Sequence, residues 1–164
     1  QEENKRFIPH VVEPSAGVDR IALAVLCNAY REEWIPKGGG EVIQGEIGKR
    51  APEGYEMRTV MRFAPRVAPI KVAVFPLLKN KPELVNKARE VFDSLQRCWP
   101  CAYDQVGAIG RRYRRQDEVG TPFCVTIDFD SLEDECVTLR HRDSMTQERI
   151  AISDLIATLH GQLA

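Results

Sequence analysis

The sequence predicts an α/β fold built on a mixed β-sheet that is flanked by helices. The first observation is a near-continuous apolar run, "APIKVAVFPLL" (68–78), typical of a strand that helices bury on both faces. The second is the helix-like run after it, in which apolar residues share one stripe: Leu84, Ala88, Val91, Phe92 and Leu95. The third is the alternating segment "PFCVTIDF" (122–129), which predicts another strand.

Two elements are predicted before this sheet. The run "FIPHVVEPS" (7–15) predicts a short strand, and the apolar residues between Val18 and Ala29 recur at helical spacing. From Arg31 to Arg58, glycines and prolines interrupt every regular period, which indicates a loop or a partly ordered linker. We therefore expect a strand–helix unit at 1–35, a glycine-rich linker at 36–66 and the main domain at 67–164.

The main domain is expected to run strand, helix, strand, helix, three strands and a final helix. After the first helix, with Pro82 in its first turn, 102–106 predicts a short strand and Ile109–Val119 a helix between glycines. The runs "CVTLRHR" and "QERIAI" predict a hairpin around "DSMT". The segment "SDLIATLHGQL" predicts a closing helix with Ser153 as its N-cap.

The composition is ordinary for a soluble globular protein. Of 164 residues, 43% are hydrophobic and 29% charged, and the formal net charge is -1. No apolar run approaches the roughly 20 residues that span a bilayer, so we expect a cytoplasmic protein without a membrane partner. The first residues, "QEENKRF", hold neither a starting Met nor an apolar signal core, so we expect an internal piece of a longer protein.

The five cysteines include one close pair, Cys98 and Cys101, in the run "CWPC". This spacing fits a dithiol redox motif or half of a zinc site. The pair follows a predicted helix and precedes a predicted strand, which is the reverse of the usual redox context, and no second close Cys or His pair accompanies it. We expect reduced cysteines and no metal, with a dithiol oxidoreductase as an alternative.

The stretch "EPSAGVDR" (13–20) combines a carboxylate, a hydroxyl, a glycine and an arginine at the start of an apolar helix. A guanidinium fixed there suits a bidentate grip on phosphate, and the glycine permits close approach of the backbone. In the alternative interpretation, Glu13 and Ser15 cap the helix and Arg20 makes a surface ion pair.

The stretch "GRRYRRQDEVGTP" (110–122) places four arginines around one tyrosine and follows them with acids. On a helix, Arg111 and Arg115 lie one turn apart, and Arg111, Arg114 and Glu118 share roughly one face. Ile109 and Tyr113 are expected to face the sheet. A solvated helix with an Arg114–Glu118 ion pair is the ordinary interpretation; a nucleic-acid interface is the functional one.

Several motifs in register resemble one enzyme family. The run "PHVVEPSAGVDRIALAVL" resembles the third signature motif of class II aminoacyl-tRNA synthetases in the form used by glycyl-tRNA synthetases. The runs "APIKVAVFPL", "IGRRYRRQDEVGTPFCVTIDFD" and "LRHRDSMTQERI" resemble the C-terminal anticodon-binding domain of the same family, in the same order. The resemblance implies that the first unit is a strand–helix remnant of the antiparallel catalytic core.

For the third motif, the resemblance implies contacts to ATP and glycine. Arg20 would hold the γ-phosphate, Gly17 would lie against the nucleotide, and Glu13 and Ser15 would face the amino acid. ATP with Mg²⁺ is implied for a homodimeric full-length enzyme, and no cofactor for an isolated anticodon-binding domain. Because the first and second signature motifs have no room upstream of Gln1, we expect no aminoacylation by the 164-residue chain alone and assign it no catalytic residue.

For the later motifs, the resemblance implies recognition of glycine tRNA. Every glycine anticodon ends in two cytosines, whose edges present an amino donor beside acceptors, so carboxylates and arginines suit them. The implied base contacts are Arg111, Arg115, Glu118, Asp130 and Arg142, with Phe129 as a stacking surface. His141 stands in "RHRD" where the family usually has an acid. The alternative is a non-catalytic nucleic-acid-binding module of the same fold, of the polymerase accessory-subunit type.

Overall fold

The computed structural model describes residues 8–38 and 40–163. The first part contains α1 (Val18–Ala29), β1 (Tyr30–Pro36), β2 (Ile43–Gln44) and β3 (Tyr55–Met61). The second part contains β4 (Val72–Pro76), α2 (Pro82–Leu95), β5 (Cys101–Tyr103), α3 (Ile109–Val119), β6 (Phe123–Ile127), α4 (Ser131–Asp134), β7 (Cys136–His141), β8 (Gln147–Ala151) and α5 (Ile152–Leu163). Within the described residues, no helix is long and apolar enough to cross a bilayer.

The second part forms a five-stranded mixed sheet in the order β5-β4-β6-β7-β8, which confirms the predicted fold class. Strands β5, β4 and β6 are parallel, whereas β7 and β8 continue the sheet antiparallel. The parallel strands therefore all end at one side, at Tyr103, Pro76 and Ile127, which we call the carboxyl edge. The opposite side, where β4 and β6 begin and β7 ends, is the amino edge.

Helices cover both faces of this sheet, which explains the continuous apolar run of β4. Val72 and Val74 pack in one core with α2 and α5, whereas Ala73 and Phe75 face α3 on the other side. Ile109 and Tyr113 pack against that second face, as predicted, and the rings of Tyr113 and Phe75 meet edge to face.

The prediction of an irregular segment from Arg31 to Arg58 is wrong at both ends of this range, and holds for most of the described residues between them. Strands β1 and β3 pair antiparallel along their whole length, from Tyr30 opposite Met61 to Pro36 opposite Tyr55, and β2 pairs with β1. We call the β1–β3 pair the ribbon. A search for alternating apolar and polar residues does not detect its strands, because several of their buried positions are charged. The glycines and prolines that signalled a loop mostly lie between its two strands.

Two smaller predictions also need correction, and one short helix was missed. No strand forms in 8–15, the described part of the predicted first strand, because no neighbouring strand in the described residues pairs with it. The closing helix begins at Ile152, so Ser153 is not its N-cap but donates a hydrogen bond to Asp154 within the first turn. The short helix α4 was not predicted.

The end of α3 lies against the chain that leaves the ribbon. Gly120 follows α3 with a φ of +87°, a left-handed conformation that favours glycine. A Cβ there would lie 2.5 Å from the Phe63 ring and 2.8 Å from the Met61 carbonyl oxygen. Glycine thus permits the close approach by which the ribbon reaches the amino edge.

Candidate nucleic-acid interface

A crevice of about 480 Å³ opens at the carboxyl edge between the ends of β4 and β5. It forms there because β4 leads to α2 on one face of the sheet while β5 leads to α3 on the other, so the two connecting loops diverge. Open α/β sheets commonly bind ligands at such a point. The edge crevice is lined by Leu77, Leu78, Lys79, Asn80, Gly107, Ala108, Ile109 and Arg112.

Arg112 ties together the two loops that form the edge crevice. Arg112 is 2% exposed; it donates to the Pro76 carbonyl at the end of β4 and, through two nitrogens at 3.2 and 2.7 Å, to the Gly107 carbonyl of the loop after β5. Burial lowers the pKa of Arg112. Asp104 acts on Arg112 electrostatically, but no carboxylate among the described residues forms an ion pair with it, and the crevice lining holds two cations, Lys79 and Arg112, and no acid, which makes it electropositive.

Arg112 is a residue that the sequence analysis missed. Its signal was helical spacing: it stands three positions after Ile109 and one before Tyr113, on the stripe that faces the sheet. An arginine on such a stripe must be buried, and therefore needs acceptors that only a buried carbonyl or carboxylate can supply.

Two other arginines of α3 lie near the same edge with more exposure. Arg115 is held to the loop after β5, where it donates to Asp104 and to the Val106 carbonyl at 2.6 Å. Arg111 is exposed and makes no hydrogen bond from its side chain to another described residue. Arg111 is therefore free to meet a ligand, whereas Arg115 already has partners.

The predicted stacking surface also lies at the carboxyl edge. Phe129 follows the end of β6 and is 45% exposed, and Asp130 beside it is exposed at the start of α4. The backbone of Leu77 donates to Ile127 at 2.7 Å, which joins the end of β6 to the loop that lines the crevice. Four predicted residues, Arg111, Arg115, Phe129 and Asp130, thus share one edge of the sheet.

The structure places two predicted residues elsewhere. Glu118 is exposed in the last turn of α3, about 10 Å along the helix from Arg111. Arg142 follows β7 at the amino edge and is 2% exposed. Its guanidinium donates to the carbonyls of Gly120 and Phe63, at 2.8 and 2.7 Å, and to Asp143. We therefore leave Arg142 out of the proposed base contacts.

A buried cluster of charges fastens the ribbon to the amino edge. Arg58 of β3 donates to Glu33 of β1 at 2.8 Å and to Asp117 of α3 at 2.9 Å. Arg140 of β7 donates to both oxygens of the Asp117 carboxylate, at 2.9 and 3.1 Å. Burial by itself would lower the pKa of Arg58, but Asp117 and Glu33 together raise it above its ordinary value.

The Arg114–Glu118 ion pair of the alternative interpretation, an ordinary solvated helix, is not formed among the described residues. Arg114 instead contacts Glu56 of β3, on the exposed side of the same ribbon–helix contact. Nothing in the sequence indicated this partner, because β3 beside α3 was not predicted as a strand.

The four residues of the third motif are all exposed in the described chain. Gly17 occupies the N-cap position of α1 without a side-chain cap, so capping by Glu13 or Ser15 is not observed. A Cβ added to Gly17 would meet nothing within 4 Å. The roles of Glu13, Ser15, Gly17 and Arg20 toward ATP and glycine stay predictions.

The cysteines do not support redox use. All five are unpaired, and burial raises the pKa of Cys101 to about 11, with a further contribution from Cys98. A catalytic dithiol needs the opposite shift, toward the thiolate. Within 8–38 and 40–163, no group of three or more His, Cys, Asp or Glu side chains is arranged to hold a metal ion.

Comparison with known proteins identifies the family to which the five-stranded sheet belongs. Residues 71–162 match the family model described as "Anticodon binding domain". The chain is 52% identical to the glycine–tRNA ligase of Thermobifida fusca, over 100% of this chain and 32% of the relative. It is 48% identical to the glycine–tRNA ligase of Acetivibrio thermocellus, over 97% of this chain and 30% of the relative. The chain therefore spans about a third of the length of these curated relatives.

A solved structure supports the fold independently. The RNA-binding domain of a threonyl-tRNA synthetase from Cryptosporidium parvum superposes with a TM-score of 0.55 at 18% identity, over 69% of this chain and 34% of that chain. The predicted resemblance to glycyl-tRNA synthetases is confirmed by the relatives, and the match at 71–162 falls on the sheet that carries the edge crevice. The chain belongs to the anticodon-binding domain family.

Proposed function

We propose that this chain is the tRNA-reading part of a glycine–tRNA ligase and that the carboxyl edge of its five-stranded sheet binds the anticodon of glycine tRNA. The observation that carries this proposal is the electropositive edge crevice, flanked by an unengaged arginine and an exposed phenylalanine. The high identity to glycine–tRNA ligases supports the choice of tRNA. The anticodon-binding unit would begin near residue 67, with the ribbon docked on it.

The chemistry of cytosine fits the groups at this edge. Arg111 can donate to the O2 and N3 acceptors of a cytosine, and Asp130 can accept from its amino group. Phe129 offers a ring on which an unpaired base can stack. Arg115, already held by Asp104, is better suited to a phosphate than to a base edge. Glu118 lies too far along α3 to act on the same base.

In the full-length ligase, the third motif would add contacts to ATP and glycine. The donor set fits these groups: Arg20 supplies a guanidinium for phosphate, Glu13 a carboxylate for the α-ammonium, and Ser15 a hydroxyl. Apart from its chain neighbours, no described atom lies within 4 Å of the position that a Cβ on Gly17 would take, so nothing in this part of the chain blocks approach to its backbone. ATP with Mg²⁺ would supply the energy for ligation. We propose that the full-length enzyme is a homodimer in the cytoplasm.

The test compares two anticodon stem-loops, one ending its anticodon in two cytosines and one with uridines in their place. We expect the 164-residue chain to prefer the first, and Arg111→Gln to reduce that affinity about tenfold while changing the second little. Arg115→Gln should weaken both RNAs alike and reduce the salt slope by about 0.7 to 0.9.

Arg114→Gln is the control. Arg114 is an exposed arginine on the same helix, but its side chain contacts Glu56 of the ribbon. The affinity of this variant for both RNAs should match wild type within about twofold. Equal wild-type affinity for the two stem-loops, or an Arg111→Gln variant that binds as well as wild type, would contradict the proposal.

A further inference from the structure

The turn that carries Phe129 is held at both ends by one arginine from another strand. Arg149 lies on β8, and its guanidinium spans from Asp128 to Asp134, the residues that bound this turn. One nitrogen donates to Asp128 Oδ2 at 2.8 Å, and the other donates to both oxygens of Asp134 at 2.9 Å. We call residues 128–134 the Phe129 turn.

Further hydrogen bonds fix the backbone inside the Phe129 turn. Asp128 Oδ1 accepts from the backbone nitrogen of Ser131 at 2.9 Å and from its hydroxyl at 2.7 Å, and Ser131 is fully buried. Asp134 accepts from the backbone nitrogen of Cys136 at 2.8 Å. Each carboxylate of the pair therefore binds both Arg149 and the local backbone.

These contacts favour the ionised carboxylates. Burial by itself would raise the pKa of Asp128, but hydrogen bonds from Ser131 and Arg149 hold this pKa below its ordinary value. The backbone N–H of Cys136 and the guanidinium of Arg149 likewise lower the pKa of Asp134. The ion pairs of Arg149 with Asp128 and Asp134 are thus present at neutral pH. They are lost only as the pH falls through the lowered pKa values of the two carboxyl groups.

Phe129 stands between the two anchored carboxylates and is 45% exposed. An exposed aromatic ring on a mobile turn would have to be ordered before it could stack, and that ordering weakens binding. We propose that Arg149 is a positioning residue: by bridging Asp128 and Asp134 it holds the Phe129 turn in the conformation that presents the ring to an unpaired base. This inference rests on the proposed function, in which Phe129 is the stacking surface.

The test is a double-mutant cycle on affinity for the cytosine stem-loop. Arg149→Gln is expected to reduce affinity about three- to tenfold in the wild-type background. In the Phe129→Ala background the same change should have no effect, because the ring through which Arg149 acts is gone. Arg149→Lys should lose as much as Arg149→Gln, since an ammonium keeps the charge but lacks the fork that joins two carboxylates.

Lys87→Gln is the matched control, because Lys87 pairs with Glu135 directly after the same turn. It removes one positive charge near the Phe129 turn and leaves the contacts of Arg149 with Asp128 and Asp134 intact. The variant should therefore bind the cytosine stem-loop with wild-type affinity. If the loss from Arg149→Gln persists in the Phe129→Ala background, or Arg149→Lys restores wild-type affinity, Arg149 acts through its charge on the RNA and the inference is overturned.

The two proposals fail in different ways. Wild-type affinity in Arg149→Gln, while Phe129→Ala still weakens binding, would overturn the positioning role alone. Wild-type affinity in Phe129→Ala would overturn the stacking role itself, and the positioning role with it.

Discussion

Arg58→Met is expected to lower the free energy of unfolding by about 3 to 5 kcal/mol, because it removes one partner of a buried network of ion pairs. Arg58 is 3% exposed and joins Glu33 of the ribbon to Asp117 of α3. Without it, Glu33 keeps only Arg62, whose side chain is 37% exposed, Asp117 keeps only Arg140, and the buried Arg142 carbonyl loses a donor. Urea denaturation of the variant and wild type measures the change.

Arg114→Met provides the matched control, because Arg114 also joins α3 to the ribbon, through Glu56. That pair is exposed, with side chains 58% and 48% accessible. Exposed pairs contribute about 0 to 1 kcal/mol, so this variant should unfold close to wild type. Equal, small losses in both variants would mean that the buried cluster does not fasten the ribbon to the sheet.

Phe129→Ala is expected to weaken binding of the cytosine stem-loop by about 1 to 3 kcal/mol, or roughly 5- to 150-fold. The loss follows from removing a ring that stacks on a base. Phe129→Leu should lose a similar amount because it keeps apolar bulk without a flat face, whereas Phe129→Tyr should bind nearly as wild type. Affinities of the three variants, measured at one salt concentration, separate stacking from general apolar contact.

Val119→Ala is the control for this series. Val119 is a comparably exposed apolar residue, 39% accessible, at the last position of α3. It lies beside Gly120 at the amino edge, so its truncation should leave RNA affinity unchanged. A Phe129→Ala variant that binds as tightly as Val119→Ala would contradict the stacking role.

The sequence predicted the sheet and its helices where apolar spacing was the signal. The bounds of α3 were predicted without error, because glycines lie near both ends and Ile109 and Tyr113 mark the buried stripe. The ribbon was missed because its buried positions include Glu33 and Arg58, and charge at a buried position defeats a rule that searches for apolar alternation.

The residues of the candidate site were predicted in part. The direction of β7 explains why Arg142 does not lie with the others. Asp130 and Arg142 are close in sequence, but β7 runs antiparallel to β6 and carries the chain back to the opposite edge. Asp130 precedes β7 and Arg142 follows it. The length of this strand therefore places the two residues on opposite edges of the sheet. Arg112 could also have been found, since an arginine on a sheet-facing stripe needs buried acceptors.

The most direct test of the central claim is a map of the RNA-binding face from backbone amide shifts of the labelled chain, measured with and without the cytosine stem-loop. We predict that the perturbed amides cluster at the carboxyl edge, in residues 77–80, 107–115 and 128–131. Those of the amino edge, around Arg58, Gly120 and Arg142, should stay unchanged. Perturbations concentrated at the amino edge, with the carboxyl edge unaffected, would contradict the assignment of the anticodon site.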